Sequence, residues 1–218
     1  MRRSFQGRRD FFRHIAGRKV GRERERRREA ERIRAAGLHL LTLINDVLDL
    51  SKIEAGGMTL LTESVAVEAA IESAAAIARP LMARNRNRFE VSDVPAACRV
   101  RADPTRLRQC LLNLLSNAAK FTSQGQVRLI VDVDGGMWRC AVEDSGPGIS
   151  EAEQRLLFQS FVRIERTTHN QPGTGLGLAL TQRMSRLMGG DVRVASTLGV
   201  GSTFTLTIPL ATGPAPAR

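Results

Sequence analysis

Residues 127–142 carry the pattern that most restricts how this chain can fold. Apolar side chains occupy every second position from Val127 to Val133 and again from Trp138 to Val142, with an Asp-Gly-Gly tripeptide at 134–136 between them. Such alternation predicts strands with one buried face, and the short glycine-rich connection predicts an antiparallel hairpin. The buried face requires a covering layer.

Helical apolar spacing supplies elements for that layer. It predicts helices over 33–55, 65–87, 104–121 and 178–188, and the third begins at Asp103-Pro104, a typical N-cap signature. Further short strands are predicted at 89–94, 191–196 and 202–209. With 218 residues and 42% hydrophobic residues, the chain is long enough for one domain with an appendage.

The net charge of +11 belongs mainly to one end of the chain. Residues 1–36 contain 14 of the 33 Lys and Arg residues but only 5 of the 22 Asp and Glu residues. The rest is nearly neutral, so no nucleic-acid partner is expected for the folded domain. The arginine-rich segment is open to four interpretations: a charged helix, a disordered arm, sequence upstream of the true start, or an attachment to DNA or anionic lipid.

Composition also bears on the compartment. No apolar run approaches the roughly 18–20 residues of a membrane span, and no secretory leader is recognisable, so we expect a cytoplasmic chain. A full-length parent of the chain could still be membrane-associated. The three cysteines, at 98, 110 and 140, lack metal-type spacing and are expected to be buried apolar residues in a reducing compartment.

Three segments carry residues suited to chemistry. On the helix at 104–121, Asn113, Asn117 and Lys120 form a polar stripe beside the apolar face. Two carboxamides and an ammonium would suit a hard cation and a phosphate, although an ordinary polar face has the same composition. Asp144 continues the inward phase of Trp138 and Val142, where a carboxylate is costly without a dedicated hydrogen-bond donor.

The glycines next to these residues indicate close backbone approach. Gly146 and Gly148 follow Asp144 directly, where a capped turn with a solvent-facing Asp is the alternative. The run Gly173-Thr174-Gly175-Leu176-Gly177 precedes an apolar helix, and free amides at a helix N-terminus bind anions. The run alone is a weak signal, because it is neither a Walker loop nor a Rossmann fingerprint.

The order of these motifs resembles the catalytic domain of sensor histidine kinases. The motifs match that family's N, G1, F, G2 and G3 boxes, and residues 40–56 resemble the second helix of its dimerisation hairpin. The resemblance extends from Ile33 to Leu210. The stretches concerned are Asn113/Asn117/Lys120, Asp144-x-Gly-x-Gly, Phe158-x-x-Phe161, Gly173–Leu178 and Gly199-x-Gly-Ser-x-Phe204.

This resemblance implies a fold and a domain organisation. The fold is an α+β, two-layer α/β sandwich of the Bergerat ATP-binding type, a mixed sheet with helices on one face, preceded by a helical segment. Residues 1–32 would be a basic arm, 33–57 a partial dimerisation helix, 58–211 the catalytic domain and 212–218 a disordered tail. With the first dimerisation helix missing, Leu41, Ile44 and Leu48 are expected to be exposed unless a partner covers them.

The resemblance also implies ATP and Mg²⁺ as cofactors. Asn113 and Asn117 would coordinate the metal, Lys120 would contact phosphate, and Asp144 would accept from the adenine amino group in a pocket shaped by Gly146 and Gly148. Residues 163–174 would form a lid over ATP. The amides of Thr174, Gly175, Leu176 and Gly177 would bind the triphosphate, while Phe158 and Phe161 would be core residues or lid anchors, and Ser202 and Phe204 structural.

The expected activity is transfer of the ATP γ-phosphoryl group to a histidine in a two-component phosphorelay. ATPases of the same superfamily place a glutamate where this chain has Asn113, and an amide cannot act as a general base. None of the three histidines, His14, His39 and His169, has the acceptor sequence of the family, and His14 is the remaining weak candidate.

The chain is therefore expected to be a fragment or to have a misassigned start, to phosphorylate a histidine elsewhere, or to bind nucleotide as an interaction module. An ATPase of the same superfamily, which is called GHKL, is the remaining alternative. Expected partners are a response-regulator receiver domain or a histidine-bearing dimerisation domain, and a homodimer is compatible with the helix at 33–57.

Overall fold

A computed structural model describes residues 27, 29–34, 36–38, 40–95, 97–163 and 173–211. The predictions for the basic arm before residue 27, most of the lid and the tail after residue 211 lie outside this range, as do all three histidines. The chain divides into two compact units, one up to Val47 and one from Leu48 onward. None of the described helices is both long and apolar enough to cross a bilayer.

The main sheet of the second unit has five strands in the order β2-β4-β5-β7-β6. Strand β2 runs parallel to β4, and the other pairs are antiparallel, so the sheet is mixed. A separate antiparallel pair joins β1 to β3. The strands are β1 Glu63–Ala66, β2 Arg88–Val91, β3 Arg99–Ala102, β4 Gln126–Asp134, β5 Met137–Asp144, β6 Asp191–Thr197 and β7 Gly201–Pro209.

Helix α1, at 40–54, precedes this sheet in the chain and crosses the boundary between the two units. The helices that pack against the sheet and form the second layer are α2 Val67–Arg84, α3 Pro104–Phe121, α4 Glu151–Gln154 and α5 Gly177–Leu187. Leu107, Leu111 and Leu114 of α3 are fully buried and face sheet residues such as Trp138 and Leu206 in one continuous core. The predicted two-layer sandwich with a mixed sheet is confirmed.

The helix predicted over 65–87 is shorter in the structure at both ends. The structure has a strand at 63–66, paired with a second strand at 99–102 that periodicity did not predict, and the helix occupies only 67–84. Both strands have four residues, and in β3 the buried Val100 and Ala102 alternate with arginines. Two buried positions are too few for a periodic signal, so the pairing between the strands decides this region.

Helix α1 contributes differently to the two units. Among its residues in the first unit, Leu40, Leu41 and Ile44 are exposed. In the second unit Leu48 is exposed too, in agreement with the expectation for this helix, whereas Leu50 is buried. The last turns are also held by ion pairs of Arg106 with Asp49 and of Arg183 with Glu54.

Candidate functional site

Helix α3 carries the predicted polar stripe along the edge of the core. The Asp103 carboxylate caps the helix by accepting from the backbone N–H groups of Thr105 and Arg106, which fixes where the helix begins. At the other end the Asn85 and Asn87 side chains donate to carbonyls of α3 and Thr122. These contacts satisfy carbonyls that a helix C-terminus leaves unpaired and so fix the rotation of the stripe. Asn113, Asn117 and Lys120 are all half-buried.

Asn113 reaches the first turn of α5. Its Nδ2 donates to Thr181 Oγ1 at 2.7 Å. A Cβ on Gly177 would lie 2.5 Å from Asn113 Oδ1, so only glycine allows the carboxamide to occupy this position. The third glycine of the Gly-Thr-Gly-Leu-Gly run is therefore explained by contact with the first asparagine of the stripe.

Lys120 lies against the start of the same glycine-rich run. A Cβ on Gly173 would lie 2.9 Å from Lys120 Nζ, and that nitrogen is 4.6 Å from the centroid of the Phe121 ring. Burial lowers the pKa of Lys120, and the nearby charge of Arg163 lowers it further. No acidic group among the described residues offsets these two effects on the ammonium, which would therefore gain from an anion.

Residues 173–177, which lie against Asn113 and Lys120, also have backbone hydrogen bonds of their own. Thr174 Oγ1 accepts from Leu176 N at 3.0 Å, and the Gly175 carbonyl accepts from Phe161 N at 3.0 Å. Gly175 has φ +72°, where L side chains are strained. Helix α5 begins after the buried Leu176 with no side-chain cap, so the amides of its first turn remain available to an anion.

Asp144 ends β5 between Val127 on one neighbouring strand and Ser202 on the other. Its Oδ1 accepts from Gly146 N at 2.9 Å. Burial raises the pKa of Asp144, while hydrogen bonds from the backbone of Gly146 and Ser202 oppose that shift. The carboxylate thus carries a desolvation cost that the protein offsets only in part, which favours a donor supplied by a ligand.

Thr122 is a site residue that the sequence did not reveal. Its hydroxyl lies beside the Asp144 carboxylate, near enough to lower the pKa of that group. Yet Thr122 Oγ1 is buried, and its position relative to the carboxylate does not have the geometry of a hydrogen bond. It has no other hydrogen-bond partner among the described residues. A threonine just after a helix gives no sequence signal of its own, because helix ends commonly carry hydroxyl residues.

The glycines near Asp144 allow three backbone segments to touch. A Cβ on Gly146 would lie 2.9 Å from Phe121 O, and one on Gly201 would lie 2.0 Å from Asp144 O. Gly148 has φ +66°, and its Cβ would lie 2.0 Å from Thr197 O. The backbone around Asp144 is therefore closely packed, and side chains at these three glycine positions would not fit.

The two phenylalanines of the F box have different environments. Phe158 is partly buried and packs against the hydrophobic core. Phe161 is 65% exposed and has a positive φ of 67°. The interpretation of Phe161 as a core residue is wrong. Its backbone N–H donates a hydrogen bond to Gly175 O, whereas its ring is largely exposed.

The candidate metal ligands among the described residues are carboxamides rather than a cluster of carboxylates, histidines or cysteines. The described residues contain no group of three or more His, Cys, Asp and Glu side chains able to hold a metal. The carboxamide oxygens of Asn113 and Asn117 are neutral hard ligands, so they fit a Mg²⁺ ion whose remaining ligands are phosphate oxygens and water.

The chain is similar in sequence to one protein family and to curated histidine kinases. Residues 102–212 match the family described as "Histidine kinase-, DNA gyrase B-, and HSP90-like ATPase". The circadian input-output histidine kinase CikA of Synechococcus elongatus is 44% identical over 197 residues, which are 85% of this chain and 25% of that protein.

Two solved structures are similar to the chain. Full-length ShkA in complex with AMPPNP has a TM-score of 0.72 and 37% identity over 83% of this chain and 38% of that one. The mycobacterial sensor histidine kinase MprB has a TM-score of 0.61 and 30% identity over 68% of this chain and 98% of that one. The chain thus spans only a quarter of the length of CikA but nearly all of the solved MprB chain.

Proposed function

We propose a kinase activity for this chain, which belongs to the histidine kinase-, DNA gyrase B- and HSP90-like ATPase family and contains the ATP-binding catalytic domain of a sensor histidine kinase. In this proposal it transfers the ATP γ-phosphoryl group to a histidine of another domain or protein. The observation that carries this proposal is that Asn113, from the middle of α3, and Lys120, from its end, converge on the segment that leads into α5. Both lie against the glycine-rich run at 173–177. The ATP analogue in the ShkA complex supports ATP as the nucleotide.

In this proposal, different described residues bind different parts of Mg-ATP. Asp144 accepts from the adenine amino group, Lys120 neutralises phosphate charge, and the amides at the start of α5 donate to phosphate oxygens. Asn113 and Asn117 hold Mg²⁺, which supplies charge neutralisation for the phosphates when bound.

Transfer itself requires positioning more than protein acid or base chemistry. A neutral imidazole nitrogen forms the N–P bond with its own lone pair, the bond to the β–γ bridging oxygen breaks, and ADP leaves. Asn113 cannot serve as a general base for water, and this disfavours the ATPase alternative. The proposed catalytic domain is 58–211, with 33–57 as part of a dimerisation helix, and the partners are a receiver domain or a histidine-bearing dimerisation domain.

Radiolabelled γ-phosphate transfer tests the proposal. The purified chain is incubated with Mg-ATP, alone and with an added dimerisation domain that carries an acceptor histidine. We expect acid-labile label on the added domain, reduced at least about 10-fold by Asp144→Asn, because asparagine removes the negative charge and replaces one of the two acceptor oxygens with a donor NH2 group. The matched control is Asp134→Asn, a carboxylate on the same hairpin that is exposed at its far end.

Two other outcomes have defined meanings. Label on the chain alone, removed by His14→Gln, would identify its own acceptor. ATP binding without transfer to any domain would contradict the kinase proposal and support a nucleotide-binding interaction module instead.

A further inference from the structure

The carboxamide of Asn113 is held in one orientation by a hydroxyl on α5. Thr181 is 3% exposed, and its Oγ1 donates to Gly177 O at 2.8 Å, a backbone carbonyl one turn earlier in α5. The same oxygen accepts from Asn113 Nδ2 at 2.7 Å. A hydroxyl has a single proton, and here that proton is directed to Gly177, so toward Asn113 the threonine can only accept.

This direction decides which end of the amide is free. If Asn113 were turned over, its oxygen would face the Thr181 oxygen, and two acceptors would lie at hydrogen-bond distance with no proton between them. In the orientation observed, Oδ1 lies over Gly177, and no described residue donates a hydrogen bond to it. The free atom is therefore the oxygen, which is the only carboxamide atom that binds a hard cation.

Asn117 provides an internal comparison. It lies one turn further along α3 and is half-buried, but no hydrogen bond joins its carboxamide to another described residue. No hydrogen bond from the described residues selects an orientation for its amide, whereas Thr181 selects one for that of Asn113.

We propose that Thr181 is a positioning residue for the metal: it orients Asn113 so that the carboxamide oxygen faces the Mg²⁺ of a bound Mg-nucleotide. The inference rests on the proposed function and adds to it a residue that does not itself touch metal or nucleotide. Fixed outer partners of this kind lower the reorganisation needed when a metal binds.

The test separates metal binding from nucleotide binding. Affinity for ADP is measured by calorimetry with EDTA and across a Mg²⁺ titration, for the wild type, Thr181→Val and Thr181→Ser. Valine has nearly the shape of threonine but no hydroxyl, and serine keeps the hydroxyl. We expect the Mg²⁺ concentration at the binding midpoint to rise about 10-fold in Thr181→Val, the size typical for loss of an outer-shell partner. In Thr181→Ser it should stay at the wild-type value.

A second comparison uses Asn113→Asp. A carboxylate has two equivalent oxygens, so its orientation needs no selection, and Thr181→Val should no longer weaken Mg²⁺ binding in that background. Persistence of the full 10-fold penalty there would overturn the proposed mechanism. Thermal unfolding checks that each variant is folded, and Thr181→Ala replaces Thr181→Val if the valine variant is not.

The remaining outcomes are also distinct. An unchanged Mg²⁺ midpoint in Thr181→Val overturns the inference. Equal weakening of ADP binding with and without Mg²⁺ also overturns it, because that result means a packing role only. Failure of the wild type to bind any adenine nucleotide would instead overturn the proposed function, and the inference with it.

Discussion

The two halves of the candidate site are built by different means. The base side comprises Thr122, Asp144, Gly146 and Gly148, and the phosphate side comprises Asn113, Asn117, Lys120 and residues 173–177. On the base side, main-chain segments approach so closely that a single Cβ would overlap a neighbouring carbonyl. On the phosphate side, Gly175 approaches the backbone of Phe161 and Val162 in the same way, but Asn113 is placed by a side-chain hydrogen bond to Thr181. The base side is therefore inseparable from folding, whereas Asn113 and Lys120 on the phosphate side should tolerate changes that alter only ligand binding.

Gly148→Ala should have the largest effect and should act on folding. The substitution adds a Cβ at 2.0 Å from Thr197 O and forces an L residue to φ +66°. We expect a loss of about 3 kcal/mol or more in the free energy of unfolding, the sum of backbone strain and overpacking, measured by urea denaturation without nucleotide.

Gly135→Ala is its matched control. Gly135 has φ +56°, but a Cβ added there, in the hairpin turn, would meet no atom within 4 Å. Strain alone should cost about 1 kcal/mol at this position. Equal losses in the two variants would show that the close approach at Gly148 does not matter and would remove the distinction between the two sides.

Lys120→Met should leave the fold intact and weaken only ligands that carry phosphate. Methionine keeps the length and apolar stem but removes the charge, so we expect about 10-fold weaker ATP binding and unchanged binding of adenosine. Calorimetry with both ligands measures this. Lys52→Met, at an exposed position of α1, is the control and should change neither affinity. A parallel loss for adenosine would mean that Lys120 supports the base side as well.

The smallest effect is a pH dependence of stability at Asp144. Because burial raises its pKa, the folded chain binds the proton more tightly than the unfolded chain does. The stability that comes from this proton is present below the unfolded pKa of about 3.9 and is lost as pH rises through the folded value. Relative to Asp144→Asn, the wild type without nucleotide should therefore lose stability as pH rises.

Denaturation midpoints of both proteins between about pH 4 and pH 8 measure this difference. A difference that moves in favour of the wild type with rising pH would show that the hydrogen bonds from Gly146 and Ser202 outweigh the desolvation of the carboxylate. The base side would then be satisfied without a ligand.

Much of the fold was predictable because its main elements are long and periodic. The hairpin predicted at 127–142 matches β4 and β5, and the helix predicted at 104–121 coincides with α3. The pair β1 and β3 was missed because each strand has four residues and holds its place only by pairing with the other. The sequence left Phe161 open as a core residue or a lid anchor, and its exposure excludes the first, because an aromatic residue in a motif gives no information about burial.

The sequence also indicated which residues belong together at the site without showing how they are held. It predicted Asn113 and the glycine-rich run as parts of one site, and the structure brings them into contact at Gly177. It contained no indication of Thr122 or Thr181, because hydroxyl residues at helix ends and in helices are common and acquire a role only from what lies opposite them.

Architecture and family were readable from the chain alone, because periodicity and the order of motifs do not depend on which distant segments meet. The free end of the Asn113 amide and the glycines that tolerate no side chain were not readable in this way. Both depend on atoms far apart along the chain, and Asn113 and Thr181 are separated by 68 residues. A hydrogen bond or a close approach of this kind exists only once the layers have packed.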